Sequence, residues 1–386
     1  MLVAPLLSWF YTHARDLPWR RTLDPYAVWV SEIMLQQTQV KTVIPYYERW
    51  MRELPTIQSL AEASSEKIHK LWEGLGYYTR VRNMQKAAQT VMQQRGGVFP
   101  SAFDDVLALS GIGRYTAGAI CSIAFNARAP ILDGNVIRVL TRVFGIRENA
   151  RMKETNAQLW QFAEELVTAA AIADGQSPMA KSRTIAASAA NSRVRHSSFV
   201  IRHFLSGPCS ALNQSLMELG ATVCTPKQPK CNECPVTNFC VAQRKNLIDQ
   251  LPNLGERAAA TARRFAACVI ERDGAVLVRQ RPVGVVNAHL WEFPNVEVAL
   301  KSSATATHAH LETELGCVLD ALTPLATVKH TITRYRITLE AFVGRVNGRT
   351  FQPRAGEWMP LARARALPFT SAHGRILRRI ADGHRD

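Results

Sequence analysis

The sequence predicts a mainly α-helical domain over residues 1–245, a linker over 246–262, and an α+β domain over 263–384. Three observations carry this division. Apolar residues recur at helical spacing through the first part. Four cysteines crowd into one short segment where that pattern ends. From Arg264 onward, strand-like runs and period-two alternation replace helical spacing.

Helical spacing is clear over Ala27–Val40, Ser65–Trp72, Val81–Gln94, Ala117–Phe125, Val136–Phe144 and Glu154–Ala170. Pro45, Pro55, Gly96–Gly97, Pro100, Gly111 and Gly113 punctuate these runs. Residues 172–208 are rich in Ser, Ala and Arg and lose the periodicity, which resumes at Ala211–Leu219. A mobile surface insertion is expected there, a bland loop more readily than a private contact. Phe265–Glu271, the Asp273–Gly274 turn and Val276–Arg279 predict a β-hairpin. Thr331–Val343 predicts one strand, with Tyr335, Ile337, Leu339 and Ala341 toward a core and Arg334, Arg336, Thr338 and Glu340 away from it.

The 386 residues are 47% hydrophobic, enough for two or three domains with real cores, and they carry a net charge of +16. That excess suits a polyanion, nucleic acid above all, although a solvated basic surface would give the same count. No apolar run reaches the length of a bilayer, so no membrane partner is expected. Met1–Phe10 lacks the basic start and small-residue cleavage site of a signal peptide. Cys121, Cys209, Cys268 and Cys317 are scattered, which suits a reducing cytoplasm better than a secreted disulfide scaffold.

The clustered cysteines are Cys224, Cys231, Cys234 and Cys240, in CTPKQPKCNECPVTNFC, with six, two and five residues between them. A loop this tight, with Pro226 and Pro229 between the first two, can wrap four thiolates into a compact group. Zinc sites usually separate two close pairs by a longer stretch, and only one CxxC occurs here. The spacing therefore favours a [4Fe–4S] cluster over zinc, and either over disulfides or buried thiols. In Leu107–Ile120, LALSGIGRYTAGAI, Gly111 and Gly113 make a tight turn between two helical runs. Backbone N–H groups at the start of the next helix could hold a phosphate oxygen there; an ordinary helix–helix turn is the plainer alternative. In Ile131–Leu140, Asp133 precedes a helix and suits both a capping role and a carboxylate at a cleft mouth. Glu32 is the only acid between Asp24 and Glu48. Desolvated among Val28, Trp29, Ile33, Met34 and Leu35, it would hold its proton toward neutral pH. From the helix alone, an exposed Glu on a polar face is the better expectation.

LPWR (Leu17–Arg20), SEIMLQQTQV (Ser31–Val40), GLGYY (Gly74–Tyr78), GIGRYTAG (Gly111–Gly118), LDGNV (Leu132–Val136) and the four cysteines follow one another in an order seen elsewhere. Together they resemble the adenine DNA glycosylase (MutY) family of the helix–hairpin–helix DNA glycosylase superfamily. The resemblance runs from Leu17 to about Cys240 apart from the insertion, and more loosely beyond. It implies a helix–hairpin–helix glycosylase domain with a [4Fe–4S] cluster loop, then an α+β Nudix-like domain that recognises 8-oxoguanine. It implies excision of adenine from A:8-oxoguanine or A:guanine mispairs in double-stranded DNA, the base being flipped into a pocket. A monomer acting in the cytoplasm on the nucleoid is expected. By resemblance Glu32 is the general acid that protonates adenine N7, and Asp133 stabilises the oxocarbenium-like sugar. Tyr115 and Asn135 would brace this pair. An apolar setting for Glu32 and a helix start at Asp133 would push their pKa values apart. Relatives that also cut the strand place a catalytic lysine where Tyr115 stands, so a monofunctional enzyme is implied. Arg15, Trp19, Arg20 and Leu35 match the adenine pocket, with core packing an equal reading for Trp19. Gln37 and Tyr77 match positions that probe the duplex, Tyr77 as a wedge in the stack. Lys227 and Lys230 are placed to touch phosphate.

The sequence also departs from the family. Besides the insertion, bacterial relatives carry Phe-Ser-His on a loop that inserts at the lesion, where this chain has Ile332-Thr333-Arg334. Thr333 keeps a hydroxyl for the Hoogsteen edge, and Arg334 puts a cation in place of an aromatic donor. In Ala309–Cys317, only Glu314 fits the magnesium-binding acids of a working Nudix hydrolase, with His310 and Thr313 where others belong. No pyrophosphohydrolase activity is expected. Three rival readings stand beside the first. Tyr115 and the second domain argue against a bifunctional pyrimidine-lesion glycosylase. The carboxylate pair argues against a non-catalytic DNA-binding protein, and the cysteine spacing against a zinc module.

Overall fold

Apolar residues at helical spacing bury one face of most helices in the first part of the chain. In order these are α1 (Val3–His13), α2 (Pro25–Leu35), α3 (Val40–Glu53), α4 (Ile57–Glu62), α5 (Ser65–Trp72) and α6 (Thr79–Arg95). Then follow α7 (Phe103–Leu107), α8 (Arg114–Phe125), α9 (Gly134–Phe144), α10 (Lys153–Gly175), α11 (Pro208–Thr222) and the single turn α12 (Val241–Arg244). The structure is a computed structural model that describes residues 1–175, 207–256, 259–332, 334–346, 354 and 356–382. Most of the insertion expected at 172–208 lies outside the described residues, as does Thr333. The chain forms two units: Met1–Glu62 with Asn83–Glu256, and Ala63–Arg82 with Arg257–Asp386. Among the described residues no helix is long and apolar enough to cross a membrane.

In the first unit α11 packs against α1, α8, α9 and α10, while α2 packs against α3 and α8. Both helices are buried on nearly every side, as apolar helices at the centre of a core are. Pro25 and the Asp24 side chain, which accepts from the Tyr26 amide at 3.1 Å, start α2. The helix expected to run to Val40 stops at Leu35. There Thr38 N–H bonds Leu35 O at 3.2 Å, Gln37 turns left-handed at φ 59°, and α3 begins separately. Pro45, read as punctuation, lies inside α3, whose buried face is Val43, Tyr47 and Trp50. Beyond the cysteines, Leu247 and Leu251 are buried with Cys240 and Ala242. Arg142 Nε donates to Leu251 O at 2.9 Å and Ala150 N to Asn253 O at 2.9 Å, so this stretch is part of the first unit.

The second unit is a sheet of β1 (Thr261–Arg272), β2 (Ala275–Gln280), β3 (Trp291–Glu292), β4 (Asn295–Val298), β5 (Leu319–Ile332), β6 (Tyr335–Val346) and β7 (Glu357–Pro360). The order is β3-β2-β1-β6-β5, with β4 on β1 and β7 on β2; β1 and β6 run parallel. Asp273 and Gly274, both at positive φ, close the β1–β2 hairpin as a primed turn requires. Three helices complete the unit: α13 (Ala304–Leu315), α14 (Leu361–Ala366) and α15 (Ser371–Ala381). Ala267 and Val269 pack with α14 and α15, whereas Ala266, Cys268 and Ile270 pack with Leu311 and Leu315 of α13. This continuous apolar run belongs to a strand covered on both faces. The single strand expected over Thr331–Val343 is instead a hairpin, with Ile332 opposite Tyr335. Leu339 and Ala341 do face a core, but Phe342 on the opposite face packs against the other one. Residues 63–82 belong here too: Lys70 Nζ donates to Arg365 O at 2.9 Å and Leu367 O at 3.1 Å.

Gly118 lets α8 approach the segment before α9. A Cβ there would lie 2.1 Å from the Pro130 carbonyl oxygen. Gly118→Ala should cost about 1–3 kcal/mol, read as a lowered midpoint in denaturant unfolding.

Candidate active site

A cleft of about 540 Å³ opens in the first unit, lined by α2, α8, α11, the start of α9 and residues 15–20. It brings together Arg15, Trp19, Arg20, Glu32, Leu35, Gln37, Tyr115, Asp133 and Asn135. Glu32 is 5% exposed, which overturns the expectation of a polar-face Glu, because α2 has almost no exposed face. Burial pushes its carboxyl up to about 7. The Tyr115 hydroxyl, donating to Oε2 at 2.6 Å, pulls it down; Asp133 raises it and Arg20 lowers it. Tyr115 stands in the first turn of α8. Burial and the neighbouring carboxylates hold its hydroxyl protonated, well above the ordinary tyrosine range.

Asp133 caps α9. Its Oδ1 accepts from Val136 N at 2.7 Å and its Oδ2 from Asn135 Nδ2 at 3.0 Å. Burial raises this carboxyl, and the cap bonds, Asn135 and Arg138 oppose the rise without reversing it. Both carboxyls are raised, so the helix start at Asp133 does not carry it below its ordinary range. Asn135 is itself held, since Arg138 Nη2 donates to Asn135 Oδ1 and to Gly220 O, each at 2.8 Å. Gly220 is required at that place, because a Cβ would come 2.6 Å from Asn135 Cβ.

The two arginines of the cleft converge on Glu218 of α11, which the sequence reading missed. Arg15 Nε donates to Oε1 at 2.6 Å and its Nη2 to Oε2 at 2.8 Å, and Arg20 Nη2 donates to Oε2 at 2.8 Å. Burial would raise Glu218, but the Arg15 bonds and the Arg20 charge bring it down to about 2. Burial lowers Arg20, and Glu218 opposes that. Glu218 is the only acid of an otherwise uncharged helix, the same signal that drew attention to Glu32. Trp19 is both packing and wall: it is buried edge-on against Tyr47 and lines the cleft. Half-buried Leu35 ends α2, and exposed Gln37 follows it.

The remaining predicted residues lie outside this cleft. Gly111 adopts φ +77° and abuts Asn83, where a Cβ would sit 2.6 Å from Asn83 Cβ. Gly113 begins α8 with no side-chain cap, so the first amides of that helix are available to an anion. In the second unit Tyr77 is 44% exposed at φ +49°. Arg334 is exposed and donates to Tyr335 Oη at 3.1 Å. Glu314 pairs with Arg279, which also binds Glu292 at 2.9 Å. Lys227 and Lys230 are exposed, Lys230 beside Glu233 at 3.3 Å.

Cys224, Cys231, Cys234 and Cys240 surround a small cavity that Val139, Arg142, Leu219 and Ile248 also line. Among the described residues no three such side chains converge on a point as the ligands of a single ion would. The thiols enclose a space, the arrangement a polynuclear cluster needs. Burial and the neighbouring sulfurs raise Cys231 and Cys240, and lift Cys234 to about 11. Arg142 Nη1 lies 3.4 Å from Cys224 Sγ and donates to Thr225 O at 2.8 Å.

Residues 30–165 match the HhH-GPD superfamily base excision DNA repair protein family. Residues 224–240 match the iron-sulfur binding domain of endonuclease III, and residues 266–379 the NUDIX domain. Fold and site thus define a base-excision repair glycosylase with an iron–sulfur cluster and a Nudix-like domain. Adenine DNA glycosylase of Rattus norvegicus is 36% identical, over 89% of this chain and 70% of that protein. That of Homo sapiens is 34% identical, over 97% and 72%. That of Buchnera aphidicola subsp. Schizaphis graminum is 33% identical, over 77% and 75%. The chain belongs to the adenine DNA glycosylase family.

Glu32 also carries a stability signature. Its folded pKa near 7 lies above the ordinary 4.5, so the ionised carboxyl destabilises the fold progressively from pH 4.5 and fully above 7. Glu32→Gln should raise Tm at pH 8 by the equivalent of about 3 kcal/mol at most. Melts at a series of pH values should show the gain disappearing toward pH 5.

Proposed function

We propose that this glycosylase hydrolyses the N-glycosidic bond of adenine mispaired with 8-oxoguanine or guanine in duplex DNA, as a monofunctional enzyme. The observation that supports this most is the buried Glu32 carboxyl, half-protonated near neutral pH, in one cleft with the capped carboxylate of Asp133. Glu32 delivers its proton to N7 of the flipped adenine, and the C1′–N9 electron pair leaves with a neutral base. Positive charge then develops on the sugar. Asp133, fixed by Val136 N–H and Asn135, stabilises it, with or without a transient bond to C1′. Water adds at C1′ and its proton restores Glu32.

Trp19 and Leu35, with Arg15 and Arg20 on Glu218, form the walls against which adenine is held. Tyr115 supplies a hydroxyl to Glu32 and no amine, which favours hydrolysis over Schiff-base strand cutting. The cluster, held by the four cysteines, supplies a rigid cross-link to its loop, with Lys227 and Lys230 beside it for phosphate. Gln37 and Tyr77 probe the duplex, and Thr333 and Arg334 read 8-oxoguanine. The enzyme works as a monomer on the nucleoid, in the cytoplasm.

Single-turnover cleavage tests the reading. Duplexes with adenine opposite 8-oxoguanine, guanine or thymine would be incubated with enzyme, with and without alkali. Cutting of the first two only after alkali, with the A:T duplex spared, is expected. Cutting without alkali, or tight binding with no excision, would sink the proposal. The rate constant should be flat below about pH 6 and fall about tenfold per unit above 7, because the protonated acid is the active form.

Tyr115→Phe gives a sharper check. Its hydroxyl lowers the Glu32 pKa, so its loss should move the falling limb to higher pH while slowing excision overall. A limb that stays in place would separate Glu32 from the observed titration.

A further inference from the structure

We infer that Arg80 is a positioning residue that holds Tyr77 in place, and that it thereby sets how strongly the enzyme unstacks the duplex at the mispair. The inference rests on the reading of Tyr77 as the wedge. Tyr77 occupies an unfavourable backbone state. It sits at φ +49° in a turn whose Gly74 and Gly76 are also left-handed, at +106° and +71°. Glycine takes such angles freely, and a tyrosine does so at a cost. Neighbouring groups must therefore hold the turn.

Trp72 and Arg80 do so from its two ends. The Trp72 Nε1 donates to Gly76 O at 3.0 Å. Arg80 Nη2 donates to both Leu75 O and Gly76 O, each at 3.2 Å. The Arg80 guanidinium carbon also lies 5.3 Å from the Trp72 ring centre and 5.5 Å from that of Tyr77. Trp72 is fully buried and fixed, whereas Tyr77 is 44% exposed. The cation thus joins a buried ring to an exposed one, a contact favoured by cation–π attraction. Burial lowers the guanidinium to about 10, so it remains charged at neutral pH.

An arginine serving phosphate would turn its fork outward. Here Arg80 Nη2 goes to two carbonyls of the turn, and the guanidinium carbon lies over two rings. A lysine has the charge but neither the plane nor the fork. That difference makes the inference testable, because charge alone and geometry alone predict opposite results for Arg80→Lys.

The experiment uses the full chain with its cluster, in a Glu32→Gln background so that substrate survives. The probe is an A:8-oxoguanine duplex with 2-aminopurine beside the mispair. Tyr77→Ala should weaken binding about tenfold, the loss of one base–aromatic stack, and abolish the 2-aminopurine fluorescence rise at saturation. Arg80→Met should weaken binding about fivefold and reduce the same rise, and Arg80→Lys should match it. Added to Tyr77→Ala, Arg80→Met should give less than a further twofold. The slope of log Kd against log salt should not change.

Recovery of binding by Arg80→Lys, with a slope reduced by about one unit in Arg80→Met, would make Arg80 a phosphate contact and overturn the inference. Full additivity of Arg80→Met and Tyr77→Ala would overturn it as well. If Tyr77→Ala changed neither affinity nor fluorescence, the wedge reading itself would fall and take the inference with it. Should Arg80→Met not fold, Trp72→Phe keeps the ring, loses the bond to Gly76 O, and must show the same non-additivity with Tyr77→Ala.

Discussion

Desolvation of Glu32 sets the state on which the rest of the cleft depends. A carboxyl on a helix buried all round is poised to keep its proton near neutral pH, where an exposed one would be ionised. Each neighbour then modulates that state. Tyr115 donates to the carboxyl and so cannot itself be ionised without repulsion. Asp133 raises the Glu32 pKa further by its charge, and a backbone amide and Asn135 oppose the rise that burial gives Asp133 itself. Arg20, the cation coupled to Glu32, has its charge balanced by Glu218, which limits how far it pulls Glu32 toward ionisation.

The same region is tied together by segments distant in the sequence. Arg138 bonds Asn135 beside Asp133, Gly220 at the end of α11, and Cys224 O at 2.7 Å in the first of the four clustered cysteines. One turn later Arg142 reaches Thr225 O, Pro226 O and Leu251 O. These guanidiniums are largely enclosed and spend their donors on carbonyls that would otherwise be unsatisfied. α9 therefore presents Asp133 at its start and fastens the cysteine loop along its length. α11 contributes Glu218 to the cleft and, at Gly220 just before Cys224, the glycine that admits Asn135.

Motif order made Glu32, Tyr115, Asp133, Asn135 and the cysteines legible in the sequence, because each stands in a short distinctive string. The burial of Glu32 was not legible. The amphipathic argument assumes that a helix has a polar side, and α2 has none. Glu218 was missed because it follows the aperiodic stretch and sits in no familiar string. The turn between β5 and β6 was missed for a different reason. Between Ile332 and Tyr335 the sequence has no Gly, Asn or Pro to mark a reversal, and apolar residues continue on both sides. Cross-strand partners such as Ile332 and Tyr335 share a face although they are an odd number of positions apart, so their pairing reverses the parity that a single-strand reading carries through. Nothing local in residues 63–82 shows that they join the second unit, since that depends on side chains such as Lys70 finding carbonyls near residue 366.

The placement of the two kinds of residue fits what the proposed mechanism asks of each. In the proposed mechanism Glu32 moves a proton and needs a tuned pKa, which burial on a rigid helix supplies; Tyr115, which donates to it, is also on a helix, and Asp133 is at a helix start. The duplex-probing role proposed for Gln37 and Tyr77 requires side chains that project, and a buried helix face cannot offer that. Gln37 and Tyr77 instead sit just outside helices, the first after α2 and the second before α6, each exposed and each at a positive φ that its residue type disfavours. Such strain persists only where surrounding bonds over-determine the backbone. At Tyr77 those bonds are visible, in the carbonyls of Leu75 and Gly76 that Arg80 and Trp72 hold. Exposure of the side chain and rigidity of the backbone beneath it are thus compatible, because different atoms of the same turn provide them.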